Sequence, residues 1–484
     1  MSRPRINNNN ANANANESVR PALSGLRVID LSTVLAGPNC ARYLADFGAD
    51  VIKIERPDTG DSLRNLAWRD PRDGEGLWWK MVNRNKRTLA LDLKDRNDLD
   101  LFRRLVAEAD VLVENFRPGT LERLGIGPDV LLASNPDLVI TRVTGFGQTG
   151  PYAGRPGFAS IAEAMSGLSA ISGEPNGQPL LPPIALTDEL TGVVAAFATM
   201  VALHSRVGQV VDVSLLESLF QMMSPLVSLY AVAGIQQERL GAGLPYTVPR
   251  GTYRCADDTW VGLSASSDSV AARLLRLLGV DGDARFATFV DRMAHRRELE
   301  EIMATWCRQH TRDEVVAAFT EADAAIGPVM DMADIAADPH YAARDAIVVL
   351  DGTPMQGLIA KLSRTPGALR WQGRALDADG DEIRAKGWGR CAHDRAPTWP
   401  GRCSTRANGG GSRRSRSWSP RRGSRRSCPT ATIRPRTNTT CARSSRTTSA
   451  ASTNATWSSP ASTAWPPTTA PHGSSGTPTP TAST

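Results

Sequence analysis

From Leu23 onward, short apolar runs alternate with stretches of helical spacing. LRVIDL, ADVIKIE, RTLALDL, ADVLVENF and DLVITRV are rich in Val, Ile and Leu, the composition of strands buried on both faces. Between them, PNCARYLADFG, DRNDLDLFRRLVAEA and TLERLGIGPDVLLAS repeat their apolar residues at helical intervals. Strand and helix in alternation predict an α/β fold, a parallel sheet covered on both faces.

Further along, a long helix is expected over residues 189–205, then the strand QVVDVSL and a helix from Leu216. At about Gly234 the character shifts towards a smaller α+β unit. RGTYRCADDTWVGLSA reads as a hairpin turning at Asp257-Asp258, with amphipathic helices after it. IGPVMDMADIAADPHYAARDAIVVL reads as a return crossing. The expected organisation is a large domain over 22–233, an inserted small domain over 234–335, and a return segment over 336–388.

Two flanking segments lack the means to fold. The Asn/Ala run within 1–21 has too little apolar surface to offset the entropy of ordering. Residues 389–484 contain no Leu, Val, Phe, Tyr or Met, and Ile433 is their one aliphatic β-branched residue apart from Thr. A disordered, basic C-terminal tail is the expectation.

That tail changes how the charge is read. The chain carries +6 overall, but residues 389–484 hold 15 Arg, no Lys and a single acid, Asp394. The remaining chain has 41 basic and 49 acidic residues. Nucleic-acid binding would therefore rest on the tail alone. An Arg/Ser-rich tail could bind RNA or an acidic surface; alternatively it is a GC-rich gene translated out of frame, which the scattered Trp399, Trp418, Trp457 and Trp465 favour. No cysteine pair has CxxC spacing, and neither a metal site nor a disulfide framework is expected. The N-terminus lacks a hydrophobic segment like that of a secretory signal, and no stretch approaches about 20 uncharged apolar residues. A cytoplasmic protein without membrane contact is expected.

Two places suggest chemistry. After the first strand, DLSTVLAGPNCARYLADFG has a tight turn leading into a helix, with backbone N–H groups placed for an anion or a carbonyl oxygen; a purely structural turn has the same pattern. In PLLPPIALTDELTGVVAAFATMVAL, Asp188 stands where a proline-rich loop meets a long helix. By position it reads first as an N-cap; the same geometry also suits a carboxylate able to attack an acyl carbon.

Seven ordered blocks, LSGLRVIDLSTVLAGP, ADFGADVIKIERPDTGD, NRNKRTLALDLKD, ADVLVENFRPGTLERLG, VTGFGQTGPY, AEAMSGLSAISG and PIALTDELTG, decide between these readings. Together they resemble the class III CoA-transferases, the group containing formyl-CoA:oxalate and carnitine CoA-transferases, from about Leu23 to Trp388. The resemblance implies a Rossmann-like large domain, an inserted small domain, interlocked homodimers, and transfer of coenzyme A between an acyl-CoA and an acceptor carboxylic acid. CoA thioester is then substrate, with no permanently bound cofactor. The resemblance places the nucleophile on Asp188 and the donors around the reacting carbonyl on the turn Thr33, Leu35 and Ala36. It places CoA contacts on Arg56, on Leu91, Asp92, Leu93 and Lys94, on Asn115 and Phe116, and on Arg123. Lys86 and Arg87 are either further contacts or a solvated strand start. Some relatives carry His and Gln where Thr33 and Leu35 stand, which weakens oxalate or formate as substrate. The α-methylacyl-CoA racemases share the resemblance, but their His-Asp pair falls on Phe158 and Ala159, and all six His follow Met200. Without an imidazole there, racemisation is the weaker alternative.

Overall fold

In a computed structural model of the chain, the residues described are 20–389 apart from Ser266. The asparagine run and the arginine-rich tail lie outside them, so the expectations for 1–19 and 390–484 do too. Six strands, β1 (Arg27–Asp30), β2 (Asp50–Glu55), β3 (Lys86–Ala90), β4 (Val111–Glu114), β5 (Val139–Thr144) and β6 (Gln209–Ser214), form one sheet in the order β3-β2-β1-β4-β5-β6. All five pairings are parallel. Each run expected as a strand is one.

The two faces of this sheet divide the apolar residues by the strand period of two. Val28, Val51, Val111 and Val139 face one core, with Cys40, Ala41 and Leu44 of helix α1 (Ala36–Asp46) packed on them. Ile29, Ile52, Leu112 and Ile140 face the other, under Phe102, Leu105 and Val106 of α2 (Arg96–Ala107). Asp95 caps α2, its side chain accepting from the N–H groups of Asn97 and Asp98. Each such fully buried aliphatic side chain contributes about 1.5–3 kcal/mol. TLERLGIGPDVLLAS is two short helices, Thr120–Arg123 and Pro128–Ser134, because Gly125 at φ +69° breaks the run.

The chain runs outward through β1, β2 and β3, then returns to the other side of β1 as β4. Loops leaving β1 and β4 therefore diverge, and a crevice opens at the carboxyl ends of these strands. A short helix, α3 (Ala159–Met165), and a long one, α4 (Leu186–Ser205), complete this side. α4 begins three residues before the expected start. Its 20 residues span about 30 Å, and by length and composition it is apolar enough to cross a membrane. It carries Asp188 and Glu189 in its first turn and so is not a run of 20 uncharged residues. Glycine at 192 lets α4 lie close on α1: a Cβ there would stand 2.6 Å from the Asn39 Cβ.

The later chain forms a three-stranded antiparallel sheet, β7 (Arg250–Arg254), β8 (Trp260–Ser264) and β9 (Ile326–Pro328), in that order. It has its own core, including Tyr253, Val261, Leu263, Phe286, Met303 and Phe319. The β7–β8 hairpin turns at the expected place, with Asp258 at φ +63°. The return segment reaches the first sheet: Ile383 and Trp388 join its second core, and Trp388 Nε1 donates to the Leu105 carbonyl at 2.9 Å.

Candidate active site

The turn after β1 meets the loop after β4 at the crevice. The Thr33 N–H donates to Asn115 Oδ1 at 2.8 Å, and Asn115 Nδ2 donates back to the Thr33 carbonyl at 2.7 Å. The Thr33 N–H is thus spent within the turn, and the Asn115 side-chain amide holds that turn. Leu35 precedes the first residue of α1 and carries no side-chain cap. The N–H groups of Leu35, Ala36 and Gly37 donate to nothing among the described residues. They form a cluster of unspent donors at the N-terminus of α1, where the helix dipole favours negative charge. Gly37 is required here, since a Cβ would come within 2.4 Å of the Ser32 Cβ.

Behind the turn lies a set of buried charges. Lys86 is fully buried and donates to Asp30 Oδ2, the Pro38 carbonyl and Asn83 Oδ1 at 2.8–2.9 Å. Burial brings its pKa down to about 8. Arg87 makes a two-point ion pair with Asp50. Lys86 is therefore neither a solvated strand start nor a CoA contact, and Arg87 is committed to Asp50. Both tie strands together.

Asp188 occupies the third position of α4, inside its first turn; Ala185 is at the cap and offers no side chain. The N-cap reading is thereby overturned. Ala185 packs against the apolar cluster of Leu35, Leu63, Trp79 and Val82, to which the α1 turn also contributes Val34. The Asp188 carboxylate accepts no hydrogen bond from the described residues. Burial, then the like charges of Glu189 and Glu163, push its pKa up to about 6. It is still largely ionised at neutral pH, but more basic than a free carboxylate. Glu189 is held by Arg42 at 3.7 Å. Glu163, on α3 and 2% exposed, accepts from the buried Thr187 hydroxyl at 3.0 Å. Glu163 and Arg42 are functional neighbours that no local signal identifies: Glu163 lies within AEAMSGLSAISG, but nothing in that block marks a carboxylate that will be brought beside position 188.

The expected CoA contacts fall along one edge. Arg56 directly follows β2, Leu91 to Lys94 follow β3, and Asn115 and Phe116 follow β4. The order β3-β2-β1-β4 lines them up across about 15 Å, three strand spacings. Arg56, Lys94 and Arg123 are exposed, and the side chains of Arg56 and Lys94 make no ion pair among the described residues. The Leu91 side chain lies in the core and its N–H donates to the Glu55 carbonyl. Leu93 packs partly against the same core, and Asp92 accepts from the Lys94 N–H at 3.0 Å. At the racemase position, Phe158 is 71% exposed and Ala159 opens α3, so neither side chain there can move a proton.

Comparison with known proteins agrees in sequence and in fold. The model of CoA-transferase family III matches residues 23–379. A protein named succinyl-CoA–D-citramalate CoA-transferase, from Chloroflexus aurantiacus, is 39% identical over 75% of this chain and 92% of its own length. The succinyl-CoA–L-malate CoA-transferase beta subunit of that organism is 39% identical over 76% and 95%. The succinate–glutarate CoA-transferase of Agrobacterium fabrum is 38% identical over 73% and 92%. Among solved structures, a CAIB/BAIF family protein from Brucella suis superimposes with a TM-score of 0.69 at 32% identity, over 76% of this chain and 99% of that one.

Proposed function

The chain belongs to CoA-transferase family III and moves coenzyme A between carboxylic acids; from that premise we propose that Asp188 is the group that carries it. The observation behind this reading is the Asp188 carboxylate itself. It is half-buried, accepts no hydrogen bond from the described residues, and is made more basic by burial and two like charges.

The steps follow from the groups present. Asp188 attacks the thioester carbonyl, the C–S bond breaks, and a mixed anhydride and CoA thiolate result. The thiolate attacks the aspartyl carbonyl, forming an enzyme thioester and releasing the first carboxylate. The acceptor carboxylate then attacks the enzyme thioester, giving a second anhydride and thiolate. Thiolate attack on the acceptor's acyl carbon releases the new acyl-CoA and restores Asp188. Each tetrahedral oxyanion is suited to the unspent N–H groups of Leu35 and Ala36. Arg56, Lys94 and Arg123 are suited to the CoA phosphates, arginine by its planar fork. Both intermediates are open to hydrolysis, so the reaction requires that water be kept from them.

Succinyl-CoA is the proposed donor and a four- or five-carbon dicarboxylate the proposed acceptor, by analogy with the relatives' names. The sheet of β7, β8 and β9 is proposed to belong to a small domain over 234–335, facing the crevice of a second copy. Support for a homodimer comes from exposed apolar surface. Val193, Phe197 and Val201 form one face of α4, and Val227, Tyr230 and Val232 are exposed on α5 (Leu226–Ala233). Contiguous patches of this kind mark interfaces, and light scattering would read the mass. Cys40, Cys255 and Cys307 are buried free thiols, in keeping with a reducing, cytoplasmic setting. The test of the mechanism is a mass-spectrometric exchange screen, with one pool of acyl-CoA donors against many acids. Asp188→Ala is run alongside; undiminished exchange in that variant would sink the reading.

A further inference from the structure

Val34 is β-branched, yet it stands at φ +66°, in the left-handed region that such side chains rarely adopt. It sits in the turn directly before the unspent N–H groups of Leu35 and Ala36. What holds it there comes from outside the turn. The Val34 N–H donates to the Asp61 carboxylate, 3.1 Å from Oδ1 and 3.3 Å from Oδ2.

Asp61 is 1% exposed and is itself fixed from three sides. Lys53 Nζ lies 3.0 Å from its Oδ2, the Leu63 N–H donates to Oδ1 at 3.0 Å, and its own N–H donates to Glu55 Oε2 at 2.9 Å. The fully buried Lys53 also donates to the Ser32 carbonyl, so it grips the turn on the other side of Thr33. A simpler role exists: Asp61 caps the short 3₁₀ helix Ser62–Asn65 through Leu63. Capping needs one oxygen and an exposed Asp. It does not need a buried lysine or a bond to a strained valine 27 positions earlier. Buried ion pairs are poor sources of stability, and directing a conformation is their better-attested use.

We infer that Asp61 is a positioning residue, which with Lys53 holds Val34 left-handed and so sets the direction of the Leu35 and Ala36 N–H groups. The inference rests on the reading of Asp188 and this turn given above. Donors fixed in advance stabilise a developing oxyanion without reorganising as it forms, and strain held by surrounding structure is a known means to that end.

The test compares Asp61→Asn with the double variant Asp61→Asn/Val34→Gly. An amide has one acceptor oxygen and cannot serve Lys53, Val34 and Leu63 together, because its NH2 must face either the Lys53 ammonium or the Leu63 N–H; glycine takes a positive φ without being held. Asp61→Asn is expected to lower kcat about 10- to 100-fold while KM for the acyl-CoA stays within about threefold. Adding Val34→Gly is expected to restore kcat at least about tenfold. A purely structural role for Asp61 would lower the melting temperature without that split and without rescue. If Asp61→Asn does not fold, Asp61→Glu is judged in the same way, with and without Val34→Gly. A folded double variant no faster than the single one, or a double variant that cannot fold, overturns the assignment. Asp188→Ala is assayed in parallel: exchange surviving in it discards the parent reading, whereas a dead Asp188→Ala with no glycine rescue discards only the role of Asp61.

Discussion

The two segments that meet at the crevice are built in opposite ways. In the turn after β1, the backbone of residues 32–34 is held by side chains from elsewhere: Lys53 from β2, Asp61 from the loop after it, and Asn115 from the end of β4. At the start of α4, Asp188 is held by no hydrogen bond among the described residues and stands near two other carboxylates. The contrast fits the role proposed for each. Donors act by being in place before charge develops, so they gain from every constraint. A nucleophile acts through its lone pairs, and each hydrogen bond it accepted would lower its basicity. On that proposal preorganisation and reactivity belong to different elements, and the close packing of α1 on α4 at Gly192 brings those elements together.

The largest expected effect comes from removing the free member of the pair. Asp188→Ala should cut CoA exchange by at least about a thousandfold, because no other nucleophile stands in its position. Exchange within tenfold of wild type would mean that the carboxylate is a bystander. Loosening the held member should cost less. Asn115→Ala takes both hydrogen bonds from Thr33 and leaves its N–H unpaired, about 1–3 kcal/mol. The expected outcome is a fall in kcat of roughly 10- to 100-fold, and a kcat unchanged in a folded Asn115→Ala would show that the turn needs no clamp.

Smaller effects should appear in pH dependence. With the Asp188 pKa raised to about 6, kcat/KM should decline as pH falls through that value and level off above it. Removing a neighbouring negative charge favours ionisation of Asp188, so the acid limb should move to lower pH. Glu189→Gln should shift it more than Glu163→Gln, the order in which the two charges act. A limb that stays put in both variants would assign it to another group. The smallest effect concerns stability. A carboxyl whose pKa is raised on folding binds more protons when folded, so ionising it costs stability as pH rises from about 4 to 6. Asp188→Asn should therefore be more stable than wild type at pH 7, by on the order of 1 kcal/mol after allowing for partial exposure. The gain should vanish at pH 4; thermal melts at the two values check it.

Much of this was legible in the sequence. Val/Ile/Leu runs of strand length, parted by helical stretches, determine a parallel sheet, because only a strand covered on both faces reads apolar throughout. Gly37 and the AGP turn marked the entry to α1, and the seven-block resemblance singled out Asp188. Position alone had left Asp188 as a cap. The structure replaced that with the first turn of α4, since three more residues joined the helix than spacing indicated. Other assignments depended on partners distant in the chain. The Asn115 side chain clamps Thr33, 82 positions earlier; Lys86 was open to solvent or to phosphate and is buried against Asp30, 56 positions earlier. Strand period and helix spacing are local properties, carried by residues a few positions apart. Which carboxylate neighbours position 188, and which side chains hold a strained valine, is set by sheet order and helix crossing, and only the tertiary structure decided those.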